Sequence, residues 1–174
     1  MEILMTQTTT HFDGRFSHPE AEATPWARVE EALEAAELYW LTTVRADGRP
    51  HVAPVVGLWR DGAFFFATGL EEQKMRNLDA NAQVAVTTGA NTWAKGLDVV
   101  VEGSAVRVID PRELQEAAEA YVAKYGEVWR FVVGGGGVLV ETDGHPSHLF
   151  RVPPGKVLSF AKDPHAQTRF RFAT

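Results

Sequence analysis

A hydroxyl, an amide and two cationic side chains lie close together in this sequence, at Thr68, Gln73, Lys74 and Arg76. The phenylalanine-rich segment that ends at Thr68 predicts a buried strand, and a helix is expected to begin near Leu70. The first turn of a helix has backbone N–H groups without partners and a partial positive charge, which together attract anions. The pattern therefore predicts a site for a phosphate group where the strand meets the helix.

A second interpretation of the same helix involves no ligand. Glu71 and Lys74, like Glu72 and Arg76, have the sequence spacing of ion pairs on an exposed helix face. The residues of this segment alone leave both interpretations open, because short motifs of this kind also occur by chance.

The size and composition of the chain restrict the classes of function. With 174 residues the chain is long enough for one well-buried domain, and its 45% hydrophobic and 23% charged residues are typical of a folded protein. The formal net charge of −6 argues against nucleic acid as the main partner, because a phosphate backbone needs a basic face. The absence of cysteine excludes disulfides and thiolate chemistry, and the scattered histidines predict no metal site. We expect a cytoplasmic protein without a membrane span or signal peptide.

Periodicity and turn signals divide the chain into a short arm and one domain. Residues 1–23 are polar and aperiodic, and we interpret them as a mobile arm that precedes a single domain over residues 24–174. Helices are expected at residues 25–37, near 70–81, and from a cap at Asp110 to Gly126. The intervening apolar and β-branched segments predict strands at residues 38–45, 50–60, 63–68, 83–88, 97–109, 138–141, 148–152, 156–160 and 167–172.

Further features have both a structural and a functional interpretation. Pro54 donates no backbone hydrogen bond, so its strand belongs at a sheet edge or bulge, where unpaired backbone groups face solvent or bind a ligand. Trp93, in a loop, either packs in the core or covers a ligand or a neighbouring subunit. Arg169 and Arg171 alternate with aromatic residues and either point outward from a terminal strand or reach an anionic ligand. The glycines at 134–137 lack the Lys-Ser or Lys-Thr pair of a nucleotide-binding loop and indicate a flexible hairpin.

The order of the elements predicts a mainly β fold of the α+β class, a small barrel of antiparallel strands with flanking helices. An ordered series of motifs covers most of the chain, at residues 41–44, 47–50, 52–55, 65–69, 73–78, 84–89, 96–103 and 167–172. With these motifs the sequence resembles the pyridoxamine 5′-phosphate oxidase-like family, whose fold is the FMN-binding split barrel. The resemblance extends over about residues 25–172.

This resemblance implies a homodimer with two cofactor sites at the subunit interface, each holding FMN or, alternatively, the deazaflavin coenzyme F420. Thr68 and Lys74 would bind the cofactor phosphate, with Gln73 and Asn77 as helpers. The remaining residues that the resemblance assigns to the cofactor are His51, Val52, Ala53, Pro54 and Val55 along the ring, Thr88 near it, and Trp93, Arg169 and Arg171 from the partner chain.

The resemblance also implies an oxidoreductase in which the cofactor, rather than a side chain, carries hydride to or from a small organic substrate. Oxidation of pyridoxine phosphate itself is not expected, because Gln73 stands where that oxidase has an arginine and its arginine-rich C-terminal signature is absent. Glu71 and Glu72 offer no basic track for the polyglutamate tail of F420, which favours FMN. A non-catalytic carrier of a flavin or a tetrapyrrole would have the same barrel and pocket, so this alternative stays open.

Overall fold

A computed structural model describes the chain from residue 7 to residue 173. The helices are α1 (Trp26–Ala35), α2 (Gln73–Ala80) and α3 (Pro111–Tyr125). The strands are β1 (Gln7–Phe12), β2 (Tyr39–Val44), β3 (Pro50–Val55), β4 (Leu58–Arg60), β5 (Ala63–Gly69), β6 (Gln83–Thr88), β7 (Leu97–Ser104), β8 (Val106–Arg107), β9 (Val132–Gly134), β10 (Val138–Val140), β11 (Pro146–Val152), β12 (Pro154–Lys162) and β13 (His165–Phe172). None of these three helices is long and apolar enough to cross a membrane.

The strands form two antiparallel sheets. The larger, seven-stranded sheet has the order β1–β13–β12–β7–β6–β2–β3, so that β1 and β3 are its edges. The second sheet has the order β4–β5–β11–β10–β9, and the short β8 also pairs with β11. Every strand pairing between residues 7 and 173 is antiparallel. The predicted mainly β architecture with flanking helices is therefore confirmed.

β5 is buried on both faces, which explains the uninterrupted run of phenylalanines before Thr68. Phe64 and Phe66 are fully buried in the core against the large sheet, with ring centroids 6.0 Å apart. Phe65 belongs instead to a second core beneath α3. Successive side chains of a strand point to opposite faces, so a strand between two cores needs apolar residues at consecutive positions. Packing on both sides holds the end of β5, where the predicted phosphate site begins.

The chain passes from the large sheet to the second sheet at Gly57. A Cβ atom at this position would lie 2.4 Å from the ring of Phe64 and 2.7 Å from the carbonyl oxygen of Phe65, so the close approach requires glycine. The end of α3 holds the same point. Lys124 Nζ donates to the carbonyl of Gly57 over 3.2 Å, and the N–H of Gly57 donates to the hydroxyl of Tyr125 over 3.1 Å.

Most predicted elements are present, and the differences have local causes. The segment 50–60 forms two strands, β3 and β4, in different sheets, because the chain crosses between the sheets inside it. The segment 97–109 is likewise divided, into β7 and β8. α2 begins at Gln73 rather than near Leu70, because the intervening residues form a turn.

Part of the segment that we interpreted as a mobile arm forms a strand in the structure. β1 is an edge strand that pairs with β13, and the N–H of His18 donates to the carbonyl of His165 over 2.8 Å. An edge strand is held mainly by backbone hydrogen bonds, so its polar, aperiodic sequence did not reveal it. Residues 1–6 lie outside the described part of the chain.

Candidate functional site

An open groove with a volume of about 380 Å³ is lined by residues of β3, β5, α2 and α3 and of the segments next to them. Its polar lining residues are Glu72, Lys74, Glu141 and Ser147, together with Gly69. Its apolar and aromatic lining residues are Leu38, Pro54, Val55, Val56, Ala67, Tyr121, Trp129 and Phe131. The groove thus combines a charged part with a surface suited to a flat, apolar group.

Three hydrogen-bond donors converge on one carboxylate in the charged part of the groove. The N–H of Gly69 donates to Oε1 of Glu72 over 2.8 Å, and the hydroxyl of Thr68 lies 3.4 Å from the same oxygen. Lys74 Nζ forms an ion pair with the other carboxylate oxygen, Oε2. An N–H, a hydroxyl and a cation therefore reach one anionic group, and the same donor set suits a phosphate.

Helical spacing places Lys74 on the buried side of α2. The buried residues of this helix are Lys74, Met75, Asn77 and Leu78. Lys74 is 8% exposed, although lysine is rarely so buried without a partner. Burial lowers the pKa of Lys74, and the carboxylate of Glu141 opposes this shift. A buried cation that faces a groove marks a place where an anion is stabilised.

The ion pairs suggested by helical spacing do not form. Lys74 pairs with Glu72 rather than Glu71. Both glutamates precede the first residue of α2, so the spacing of pairs on a helix face does not apply to them. Arg76 is exposed, whereas Lys74 is buried. The interpretation of this segment as an ordinary exposed helix is therefore wrong for Lys74.

A chain of hydrogen bonds connects α2 with the edge strand β3. Gln73 Nε2 donates to Oδ1 of Asn77 over 2.8 Å, and Asn77 Nδ2 donates to Oγ1 of Thr43 over 2.8 Å. Thr43 Oγ1 lies 3.4 Å from Nδ1 of His51 on β3. Burial, together with nearby positive charges, lowers the pKa of His51. These hydrogen bonds fix the helix that carries Lys74 against the large sheet, and the contact of Gln73 and Asn77 with a cofactor stays a prediction.

We expect Thr43→Val to lower the free energy of unfolding by about 1–3 kcal/mol, because the buried Nδ2 of Asn77 loses its acceptor. Denaturant titration measures this loss. Thr42→Val is the matched control, since Thr42 lies on the same strand and is less buried, and a change within about 0.5 kcal/mol is expected there. Equal effects of the two substitutions would contradict the role given to this hydrogen bond.

β3 is an edge strand, which confirms the prediction made from Pro54. It pairs with β2 alone among the residues that the structure describes, so its other backbone edge is available to a ligand. His51, Ala53 and Val55 are the more buried side chains of the strand, and Val52 and Pro54 are exposed. Pro54 and Val55 also line the groove. One end of the predicted ring-binding strand therefore meets the charged residues in the same groove.

Among the predicted residues, Pro54, Val55 and Lys74 line this groove and the others do not, although Thr68 lies 3.4 Å from the lining residue Glu72. Thr88 is buried, donates to the carbonyl of Leu38 over 3.0 Å and lines a neighbouring groove. Trp93 is 95% exposed, so core packing is excluded for it. Arg169 and Arg171 lie on the more exposed face of β13, and Arg171 lines a separate groove. That Trp93, Arg169 and Arg171 of a partner chain contact the cofactor stays a prediction.

Sequence reasoning missed several lining residues, namely Glu72, Tyr121, Trp129, Phe131, Glu141 and Ser147. It also missed Thr43, which does not line the groove but accepts the hydrogen bond from Asn77. Most of them come from segments far from Lys74 in the chain, and no local spacing connects them. Glu72 has a local signal, since a glutamate three residues after Gly69 can return its carboxylate to that N–H across the turn. Ser147 donates to Oε1 of Glu141 over 2.7 Å, which orients this carboxylate in the groove.

Comparison with known proteins places the chain in a family. The sequence pattern of the pyridoxamine 5′-phosphate oxidase family matches residues 26–160. The chain belongs to this family. The matched region includes the end of β5, all of α2 and the edge strand β3, so the family assignment covers the groove described above. No curated protein matches the sequence.

Solved structures show the same fold at low sequence identity. A conserved hypothetical protein from Mycobacterium tuberculosis is 17% identical with a TM-score of 0.64, covering 80% of this chain and 86% of that chain. An FAD-binding protein from Mesorhizobium loti is 17% identical with a TM-score of 0.58, and the match covers 87% of this chain and 96% of that chain. The heme storage protein HutZ from Vibrio cholerae is 22% identical with a TM-score of 0.59, and the match covers 78% of this chain and 93% of that chain. These likenesses confirm the split-barrel fold.

Proposed function

We propose that this family member is a flavin-dependent oxidoreductase that binds FMN, with the deazaflavin coenzyme as the alternative cofactor, and acts on a small organic substrate. The observation that carries the proposal is the buried Lys74 at the charged part of the groove, where the N–H of Gly69 and the hydroxyl of Thr68 converge with it. The FAD-binding protein from Mesorhizobium loti, which has the same fold, adds support.

The residues of the groove fit a ring cofactor that carries a phosphate. Lys74, Thr68 and Gly69 would hold the phosphate through charge-assisted hydrogen bonds, and the edge of β3 at Pro54 and Val55 would orient the ring. A flavin supplies the hydride transfer when it is bound. The chain contributes position and charge, and the aromatic residues of the groove, such as Trp129 and Phe131, exclude water from one side.

We propose in addition that the protein is a homodimer whose interface completes the site. The outward face of β2 and β3 is apolar, with Trp40 49% and Val52 54% exposed. Trp40 lies opposite Pro54 in the pairing of the two strands, so this apolar face adjoins the groove. Exposed apolar patches of this kind mark interfaces. The family resemblance implies that Trp93, Arg169 and Arg171 of the second copy would approach the cofactor.

We expect Val52→Asp to shift the protein from dimer to monomer and to weaken FMN retention, because the substitution places a charge in an apolar interface. Sedimentation velocity measures the mass, and flavin content is read from absorbance. Val128→Asp is the matched control, since Val128 is 78% exposed on the segment after α3 and lies outside β2 and β3. Equal masses for the Val52 variant and the unchanged protein would contradict the proposed interface.

A second candidate function is a carrier that binds its cofactor without turnover. HutZ, a heme storage protein with the same fold, favours this candidate. The experiment is reconstitution of the purified protein with FMN, the deazaflavin coenzyme or heme, followed by reduction and exposure to organic electron acceptors. Bound flavin that is bleached by the reductant and reoxidised faster by an acceptor than free flavin supports the oxidoreductase. Tight binding without faster reoxidation supports the carrier, and binding of heme in place of either flavin overturns the flavin proposal.

A further inference from the structure

We propose that Glu72 is an internal competitor for the phosphate-binding part of the groove, and that its carboxylate leaves when a phosphate-bearing ligand binds. The inference rests on the proposed function, because it concerns the same site. It assigns to Glu72 a role in ligand selection: a ligand must offer contacts beyond its phosphate in order to displace the carboxylate.

Both oxygens of Glu72 are engaged by the donors of the site. Oε1 accepts from the N–H of Gly69 and lies within 3.4 Å of the hydroxyl of Thr68, and Oε2 pairs with Lys74 Nζ. A carboxylate and two phosphate oxygens present similar acceptors to such donors. Glu72 therefore occupies the position in which these three groups would hold a phosphate, and the two anions exclude one another.

The local structure allows Glu72 to leave and Lys74 to stay. The side chain of Glu72 is 48% exposed, whereas that of Lys74 is 10% exposed. Glu72 precedes α2, and its side chain does not cap this helix. Rotation of the carboxylate into solvent thus breaks its three contacts with the site but removes no helical contact. The absence of a side chain at Gly69 leaves room for the inward position. A Cβ atom there would lie 3.3 Å from Oε1 of Glu72, which is closer than an ordinary van der Waals contact.

The charges of the groove give Glu72 a second effect. Lys74 pairs with Glu72 and lines the same groove as a second carboxylate, Glu141. Glu141 is less exposed than Glu72 and is oriented by Ser147, which donates to it over 2.7 Å, so Glu72 has the easier path into solvent. While Glu72 is turned inward, the carboxylates outnumber the ammonium group and repel a free phosphate ion. A ring that packs against the aromatic lining adds binding energy that inorganic phosphate lacks.

The experiment compares Glu72→Gln with Glu71→Gln, its exposed neighbour of equal charge. Calorimetric titration with inorganic phosphate and quenching of FMN fluorescence measure two dissociation constants for each protein. We expect Glu72→Gln to bind inorganic phosphate about tenfold more tightly, because the competing charge is gone. FMN affinity should rise by a similar factor, since both ligands displace the same carboxylate and its removal relieves both of the same cost. Glu71→Gln should leave both constants within twofold.

The outcomes separate this inference from the proposed function. Unchanged or weaker phosphate binding by Glu72→Gln overturns the role of Glu72, whatever the result with FMN. Tighter phosphate binding without FMN binding in any of the proteins supports Glu72 and overturns the flavin proposal. Should Glu72→Gln fail to fold, Glu72→Asp serves instead, because its shorter side chain cannot span the same donors, and an unchanged phosphate constant for it likewise overturns the inference.

Discussion

Lys74→Met is expected to weaken the binding of FMN by about 10- to 100-fold. The substitution keeps an unbranched side chain in the buried position of α2 but removes the charge that would contact the phosphate. A hydrogen bond to a charged group contributes about 1.5–3 kcal/mol, which corresponds to this range of affinity. Fluorescence quenching of FMN on titration with the apoprotein measures the change.

The fold should tolerate this substitution. Removal of one partner of an ion pair is costly when the other charge stays buried, but the partner Glu72 is half-exposed and can turn to solvent. Arg76→Met is the matched control, since it removes a positive charge from an exposed position of the same helix. If Lys74→Met retains FMN as tightly as Arg76→Met does, Lys74 is not part of the cofactor site.

Phe64→Ala is expected to lower the free energy of unfolding by about 3–5 kcal/mol, a large part of the ~5–15 kcal/mol typical of a domain. The ring is fully buried, with its centroid 4.7 Å from that of Tyr39 and 6.0 Å from that of Phe66. It also fills the space beside Gly57, where the chain crosses between the sheets. A cavity at this point would loosen both sheets. Guanidinium titration followed by tryptophan fluorescence measures the loss.

Phe16→Ala provides the control for Phe64→Ala because it makes the same chemical change at a residue that is 57% exposed. We expect less than about 1 kcal/mol from it, mainly the loss of the contact between its ring and the guanidinium of Arg15. A similar midpoint for the two variants would show that the core around β5 is not as tightly packed as the structure indicates.

The sequence was informative where structure depends on neighbours in the chain. The run from Phe64 to Phe66 predicts a buried strand, and a helix that carries Lys74 is predicted to follow it. Pro54 likewise identifies an edge strand from its own chemistry. The predicted start of α2, near Leu70, was three residues too early. The residues before Gln73 form a turn instead, in which the carboxylate of Glu72 accepts from the N–H of Gly69.

Contacts across the fold were beyond sequence reasoning. The acceptor of the Asn77 amide is Thr43, on a strand that a different part of the chain supplies. The groove takes its aromatic lining from the end of α3 and the segment after it, and Glu141 from the region near β11. No periodicity relates these segments to Lys74. Their proximity results from the packing of two sheets and a helix.

By itself the sequence determined the mainly β fold, the strand and helix that meet at Thr68 and Lys74, and the edge position of Pro54, because hydrophobic period and residue chemistry are local properties. Only the tertiary structure decided that Lys74 is buried and that its partner is Glu72. It likewise separated Thr88, Trp93 and the arginines of β13 from the groove of the same protomer. The burial of a side chain and the residues that surround it depend on which distant segments of the chain pack together, and the local sequence pattern holds no information about that packing.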